Sequence, residues 1–236
     1  MKILIIATSH AQLGDTGRKT GLWLEELAVP YYLFKDAGAT MTFASPMGGE
    51  VPLDPKSESI IVSNSTIRRF QKDLEAISDL SHSLSLDTLS AGDFDMVFLP
   101  GGHGPMWDFP GNDPLRQLLE DFARQNKIIG LVCHGAAALL SVETLRGELL
   151  VKGRHLTAYS DSEEKVAGLT GIIPFSLESR LVSSGAFYSK GPDYTPHVIT
   201  DGNIISGQNS ASAKEVAKQM LMAWKESLQK VQPVLY

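Results

Sequence analysis

The chain alternates short apolar runs with longer amphipathic stretches. KILIIATS (2–9) is apolar almost without a break, the pattern of a strand covered on both faces. ATMTFASP (39–46), FDMVFLPGG (94–102) and KIIGLVC (127–133) repeat it and predict three further strands. Between the strands lie helical patterns. KTGLWLEELAVPYYLFKDAG (19–38) has helical length, with Gly38 as its C-cap and Pro30 expected to kink or split it. STIRRFQKDLEAISDL (65–80) carries helical spacing. NDPLRQLLEDFARQ (112–125) starts with Asn112 or Asp113 as cap and Pro114 in the first turn. HGAAALLS (134–141) opens another helix.

The second half reads in the same way. Residues 149–158 predict a short strand or hairpin, DSEEKVAGL (161–169) a helix, and IPFSLESRLVSSG (173–185) another. HVITDGNIISG (197–207) is a hairpin around Asp201-Gly202, and SASAKEVAKQMLMAWKESL (210–228) a terminal amphipathic helix. Residues 46–66 look irregular, with Gly48-Gly49 and prolines at 46, 52 and 55, and residues 81–92 form a Ser-rich connector. The expected organisation is one domain over 1–236, with 46–92 as an insertion or lid. Alternating strands and helices predict an α/β domain whose mostly parallel sheet has helices on both faces.

Composition narrows the function classes. The chain is 43% hydrophobic and 20% charged, enough to bury a sizeable core. Net charge is −6 and no basic block exceeds two residues, which argues against nucleic acid and anionic membrane as main partners. The apolar run Ile3–Ala7 is too short for a signal-peptide core or a bilayer span. A single cysteine forms no internal disulfide, and the expectation is a cytosolic protein.

That cysteine, Cys133, falls where a strand ends and a helix begins. In an open parallel sheet, sites form beyond the carboxyl ends of the strands. A helix start is expected to lower the thiol pKa. The turn also aims the N–H of His134 at an oxyanion formed when sulfur attacks a carbonyl, the logic of a nucleophile elbow. Gly101 and Gly102, at the end of the 94–102 strand, offer a second N–H. Glu26 has Leu22, Trp23, Val29 and Pro30 at helical-neighbour spacing, so burial should raise its pKa and suit it to acid–base work. Glu25 fits a solvated surface better. Glu164 reads as part of an acidic helix start. His103 is a substrate contact or a loop histidine, His197 and Asp193 read as loop residues, and Trp107 and Phe109 as core aromatics. Metal-ligand spacings such as Cys-x-x-Cys are absent, and Gly101, Gly102 and Gly104 lack dinucleotide-loop spacing.

Several segments, in order, carry a family resemblance: KTGLWLEELAVPY (19–31), SPMGGEVPLDPKS (45–57), FDMVFLPGGHGPMWDFP, IIGLVCHGAAALL, LVKGRHLTAYSDSEE and VITDGNIISGQNSASA. The chain resembles the PfpI-like branch of the class I glutamine amidotransferase-like superfamily, and within it the heat-shock-protein-31-type glyoxalase III group. The resemblance implies a flavodoxin-like three-layer sandwich, a cofactor-free site and a homodimer. It matches the nucleophile to Cys133, the adjacent histidine to His134, the acid touching the thiol to Glu26, and the acid orienting the histidine to Glu164. It also implies chaperone or repair activity on unfolded or glycated proteins. Ala136 replaces the proline that often follows Cys-His-Gly, and the loop at Pro192–His197 lacks the tryptophan of some relatives. The expected activity is conversion of methylglyoxal and related 2-oxoaldehydes to 2-hydroxy acids through a Cys133 hemithioacetal. The alternatives are a cysteine amidase or peptidase, and a chaperone or redox sensor with an oxidisable Cys133.

Overall fold

Five apolar segments build the centre of the sheet. In the computed structural model, which describes residues 1–59 and 64–231, they are β1 (Lys2–Ile6), β2 (Thr40–Ser45), β4 (Met96–Leu99), β5 (Ile128–Val132) and β9 (Ile204–Gly207). Two edge strands complete it: β3 (Leu84–Ser85), and β8 (Val198–Asp201), which forms the 197–207 hairpin with β9. The order is β3-β2-β1-β4-β5-β9-β8, and every pairing is parallel except β8 with β9. β4 and β5 are buried along their whole length, as their unbroken apolar sequences require.

Each face of the sheet carries its own core. On one, α1 (Leu24–Asp36) and α8 (Ala213–Val231) pack side by side, with Leu27, Phe34, Val216 and Met220 against Ile5, Phe98 and Ile205. On the other, α5 (Asp113–Arg124) places Leu115, Leu119 and Phe122 against Leu4, Val97 and Leu131. Burying one such side chain contributes roughly 1.5–3 kcal/mol. The result is the flavodoxin-like three-layer sandwich that the resemblance implies.

Several elements differ from the sequence pattern, each for a local reason. α1 starts only at Leu24, because Gly21, at φ +157°, lies against the carbonyl of Pro52, where a side chain would overlap it. Pro30 sits inside α1 without ending it; Gly38, at φ +77°, follows the C-cap Ala37. The 65–80 pattern divides into α2 (Ser65–Phe70) and α3 (Leu74–Ser81). Asp73 makes the break by capping α3 through Ala76 N–H (3.2 Å) and accepting from Tyr32 Oη (3.1 Å). The Ser-rich connector contains β3. Residues 149–158 supply β6 (His155–Leu156), which pairs in parallel with β7 (Phe187–Tyr188) instead of forming a hairpin. The 173–185 helix shortens to α7 (Leu177–Ser183), and 161–169 becomes α6 (Asp161–Ala167). Asn112 caps α5 through Leu115 N–H (3.0 Å). Residues 60–63, within the stretch expected to be irregular, lie outside the described residues.

Two of these strands end at a crevice. From β1 the chain goes outward to β2 and β3, then returns and runs the other way through β4 and β5. The loops leaving β1 and β4 therefore diverge, which opens a cleft at the strands' carboxyl ends. Gly101–Gly102 follow β4, Cys133 follows β5, and the first turn of α1 overhangs both.

Tight approach of α8 to the sheet depends on Gly130. A Cβ there would overlap the Met220 sulfur and sit 2.9 Å from its methyl carbon. Gly130→Ala is expected to cost about 1–3 kcal/mol, since Met220 yields only in part. A urea titration checks this; an unchanged midpoint would mean that α8 packs more loosely than described.

Candidate active site

Cys133 has a left-handed backbone, φ +59°, at the end of a buried extended strand. A non-glycine residue there costs on the order of 1–3 kcal/mol, so the surroundings must hold it. They do so from below. The nine residues Cys133–Ser141 form a 3₁₀ helix, not the α-helix that the sequence suggests. Its Gly135 packs onto the carbonyl of Leu99 so closely that a side chain would overlap it. This distorted turn brings together two side chains that diverge on a regular helix: Cys133 Sγ lies 3.3 Å from His134 Nδ1.

His134 is oriented by an acid from another element. Its Nε2 is 2.8 Å from Glu164 Oε2, and His103 Nε2 is 2.8 Å from Glu164 Oε1. Hydrogen bonds from the two imidazoles outweigh burial and lower the Glu164 pKa to about 2. An ionised carboxylate only accepts, so each Nε2 carries the proton. The Nδ1 of His134 is then a free lone pair facing the sulfur. Burial, with His103 close by, lowers the His134 pKa to about 4, so the ring is neutral near pH 7.

Glu26 also hydrogen-bonds the sulfur. It is 2% exposed, on the first turn of α1, and its Oε2 accepts the Gly101 N–H at 2.8 Å. Burial raises its pKa from 4.5 to about 8, against the pull of its hydrogen bonds to Cys133 and Gly101. Cys133 is 4% exposed, and its thiol is pushed up by burial first and by Glu26 second. The lowered thiol pKa expected from a helix start is therefore reversed. The N–H groups of Gly102 and His134 do hydrogen-bond the sulfur, but they do not outweigh the loss of water and the neighbouring acid. At neutral pH the resting group is thiol, imidazole and carboxylic acid, all uncharged.

The glycines divide their work. Gly101 N–H is taken by Glu26, so it does not serve as the second donor to a reacting oxygen. Gly102 N–H is the one turned to the sulfur. Its φ is +94°, and a side chain would overlap the Gly21 carbonyl, so glycine is required.

The sulfur opens on a cavity of about 290 Å³ walled by Trp23, Tyr159 and Tyr194. Tyr159 leans over the His134 ring, centroids 4.5 Å apart. Tyr194 has a left-handed backbone, φ +56°, and Glu163 fixes it. That buried carboxylate accepts from Tyr194 N–H (2.8 Å) and from Asn209 Nδ2 (2.7 Å). The sequence pattern marked Trp23 only as an apolar neighbour of Glu26 and singled out neither tyrosine nor Glu163; these stand in a quoted motif or in the 192–197 loop, without a spacing that marks them. Glu25, read as solvated, also lines the cavity and accepts from Asn64 Nδ2 at 2.7 Å. Asp193 and His197 stay outside it: they pair with Ser162 (2.6 Å) and Ser189 (3.1 Å). Trp107 stacks on His10 and Phe109 is buried in the core.

Could the cluster hold a metal? Among the described residues, His103, His134 and Glu164 place three ligand-type atoms within 4.8 Å of one another. Both carboxylate oxygens already accept from the rings, so a cation would have to displace two protons and the orientation of His134.

The chain is similar over most of its length to known proteins. Glutathione-independent glyoxalase HSP31 from Saccharomyces cerevisiae is 26% identical, over 95% of this chain and 98% of its own. Glyoxalase III from Candida albicans superposes with a TM-score of 0.88 at 25% identity, over 94% of this chain and 97% of its own. Rapid Encystment Protein 24 KDa from Francisella tularensis gives a TM-score of 0.90 at 37% identity, over 94% and 98%. The profile of the DJ-1/PfpI family matches residues 20–223, and the chain belongs to that family.

Proposed function

We propose that the protein is a glutathione-independent glyoxalase that converts methylglyoxal and related 2-oxoaldehydes to 2-hydroxy acids, with lactate the product from methylglyoxal. The observation that carries this reading is a sulfur flanked by two neutral proton carriers, the His134 Nδ1 lone pair and the Glu26 carboxylic acid. The glyoxalase names of its relatives support the same reading.

An internal redox reaction of this kind needs protons moved between two adjacent carbons, with no net electron loss. The Cys133 sulfur adds to the aldehyde carbon while its proton passes to His134 Nδ1. Glu26 gives its proton to the aldehyde oxygen, near the N–H groups of Gly102 and His134, and a hemithioacetal forms. Glu26, now a carboxylate, takes the C1 hydrogen as His134 protonates the ketone oxygen, giving an enediol. Glu26 returns its proton to C2, His134 takes the C1 hydroxyl proton, and a thioester results. Water then attacks the thioester, losing a proton to Glu26 while His134 reprotonates the departing sulfur. The enzyme ends as it began.

Glu164 holds the Nε2 proton in place through all four steps and does not touch the substrate. The proposal extends, on the resemblance, to a homodimer that also meets unfolded or glycated proteins; on the lone thiol, to a cytosolic location; and on its irregular sequence, to residues 46–92 as an insertion or lid. Among the described residues, no helix is long and apolar enough to cross a membrane.

Cys133→Ala is expected to lower lactate formation from methylglyoxal by roughly 10³-fold or more. Undiminished turnover would end the proposal. The wild-type kcat/KM should be bell-shaped in pH. It falls above about 8 as Glu26 ionises and below about 4 as His134 gains a proton. A Glu26→Gln enzyme is expected to lose roughly 10²–10⁴ in kcat. A flat pH profile, or full activity in the Gln variant, would remove Glu26 from the mechanism.

The same substitution should change stability in a pH-dependent way. The folded state holds Glu26 neutral up to about 8, whereas the unfolded chain ionises it near 4.5. The favourable contribution is complete below 4.5 and is lost as pH climbs to 8. The Gln variant escapes that loss. Its urea midpoint relative to wild type should therefore be higher at pH 8.5 than at pH 5, and an equal offset at both would contradict the burial of an acid at this site.

A further inference from the structure

A second cavity lies against the inner one. This outer vestibule, about 450 Å³, shares Trp23, His103, Tyr159 and Tyr194 with the chamber over Cys133. Its chemistry differs from that of the inner chamber. Arg18, Lys19 and Lys56 all line it. Among the described residues, none of these three side chains makes an ion pair, although the chain as a whole has a net charge of −6.

Among the described residues, the only acid lining the vestibule is Asp54, which is buried and accepts from neutral donors, so three cations stand against one carboxylate. Oδ2 accepts from Thr20 Oγ1 (2.9 Å) and Oδ1 from the Lys56 backbone N–H (2.9 Å). Lys19 also borders a neighbouring groove that holds Glu50 and Glu58, so its charge is shared. Arg18 and Lys56 are left as exposed cations in the cavity beside a chamber where all the reacting groups are neutral at rest. Lys56 belongs to the 46–92 segment, which places that segment on the vestibule wall.

Resting on the glyoxalase reading, we propose that the preferred substrates are 2-oxoaldehydes that carry a carboxylate or phosphate on a short tail. The dicarbonyl enters the inner chamber and the anion stays between Arg18 and Lys56. The reaction is unchanged: R–CO–CHO and water give R–CHOH–COO⁻ and a proton, and the tail takes no part in bond making. Exposed charge contacts are weak, and two of them support a preference near tenfold, about 1.4 kcal/mol. Such a preference must also weaken with salt.

Matched probes test this. 4,5-Dioxopentanoate is compared with 2-oxopentanal, and 6,7-dioxoheptanoate with 2-oxoheptanal, so that each pair has the same carbon count and differs in its terminal charge. For at least one pair, kcat/KM should favour the acid by about tenfold at low ionic strength, and the ratio should shrink in about 0.3 M NaCl. Arg18→Gln with Lys56→Gln should cut that ratio at least fivefold, and Arg18→Glu with Lys56→Glu should bring it below one. A wild-type ratio near one in both pairs, or a ratio that survives charge reversal, overturns the inference. Conversion of the neutral probes separates the two failures. If they react and the ratio is one, only the anion preference falls; if no probe reacts, the glyoxalase reading falls with it.

Discussion

The left-handed backbone at Cys133 is the constraint on which the site is built. An extended strand that continued into an ordinary helix would point residues 133 and 134 in different directions. The φ of +59° bends the chain so that sulfur and imidazole meet at 3.3 Å while the His134 N–H stays turned to the same sulfur. Such a backbone is stable only if the structure around it leaves no alternative. Gly135 seats the 3₁₀ turn on Leu99, and β5 is locked between β4 and β9. The core therefore supplies the strain energy, and removal of either support relaxes the nucleophile out of register.

Two buried glutamates take opposite roles because their partners differ. Glu164 accepts from two imidazole N–H groups and stays ionised down to about 2. Glu26 has one backbone N–H and a thiol, too little to offset burial, and stays protonated up to about 8. One acid is thus a fixed charge that sets a tautomer, and the other is a movable proton at working pH. Exchanging the environments would abolish both roles without changing a single residue type. The same reasoning explains why Gly101 and Gly102 are not equivalent, although they are adjacent: one N–H anchors the acid and the other faces the sulfur.

Much of this was legible in the sequence. The strands are easy to read because burial on both faces leaves them no polar positions, as in IIGLV at 128–132. The burial of Glu26 could be read from its apolar neighbours, although only Val29 and Pro30 lie along α1 with it, while Leu22 and Trp23 precede the helix. The left-handed Cys133 leaves no mark, because the usual signature of such a position is glycine. The His103–Glu164 bond joins residues 61 apart, and nothing local announces it. Tyr159 and Tyr194 are ordinary aromatics until the Glu163–Asn209 pairing draws the 192–197 loop over the site. The raised thiol pKa is not legible in the sequence, because a helix start is a local feature, whereas burial and the nearness of Glu26 come from the tertiary fold.

The protonation state at rest also separates the two enzyme readings. Amide cleavage by a cysteine works best from a thiolate–imidazolium pair, held by a low thiol pKa and a raised imidazole pKa. Here burial pushes Cys133 up and His134 down to about 4, so that pair is disfavoured in both members. A third titrating group against the sulfur would also be superfluous in an amidase, which needs one base and one oxyanion donor set. A hemithioacetal isomerisation needs two proton carriers on either side of one carbon, each near neutrality, and an addition that begins from a thiol without separating charge. Those are the conditions that Glu26, Cys133 and His134 create. Because the groups that react are neutral at rest, the cations outside the inner chamber, Arg18 and Lys56, are the groups that sort one oxoaldehyde from another.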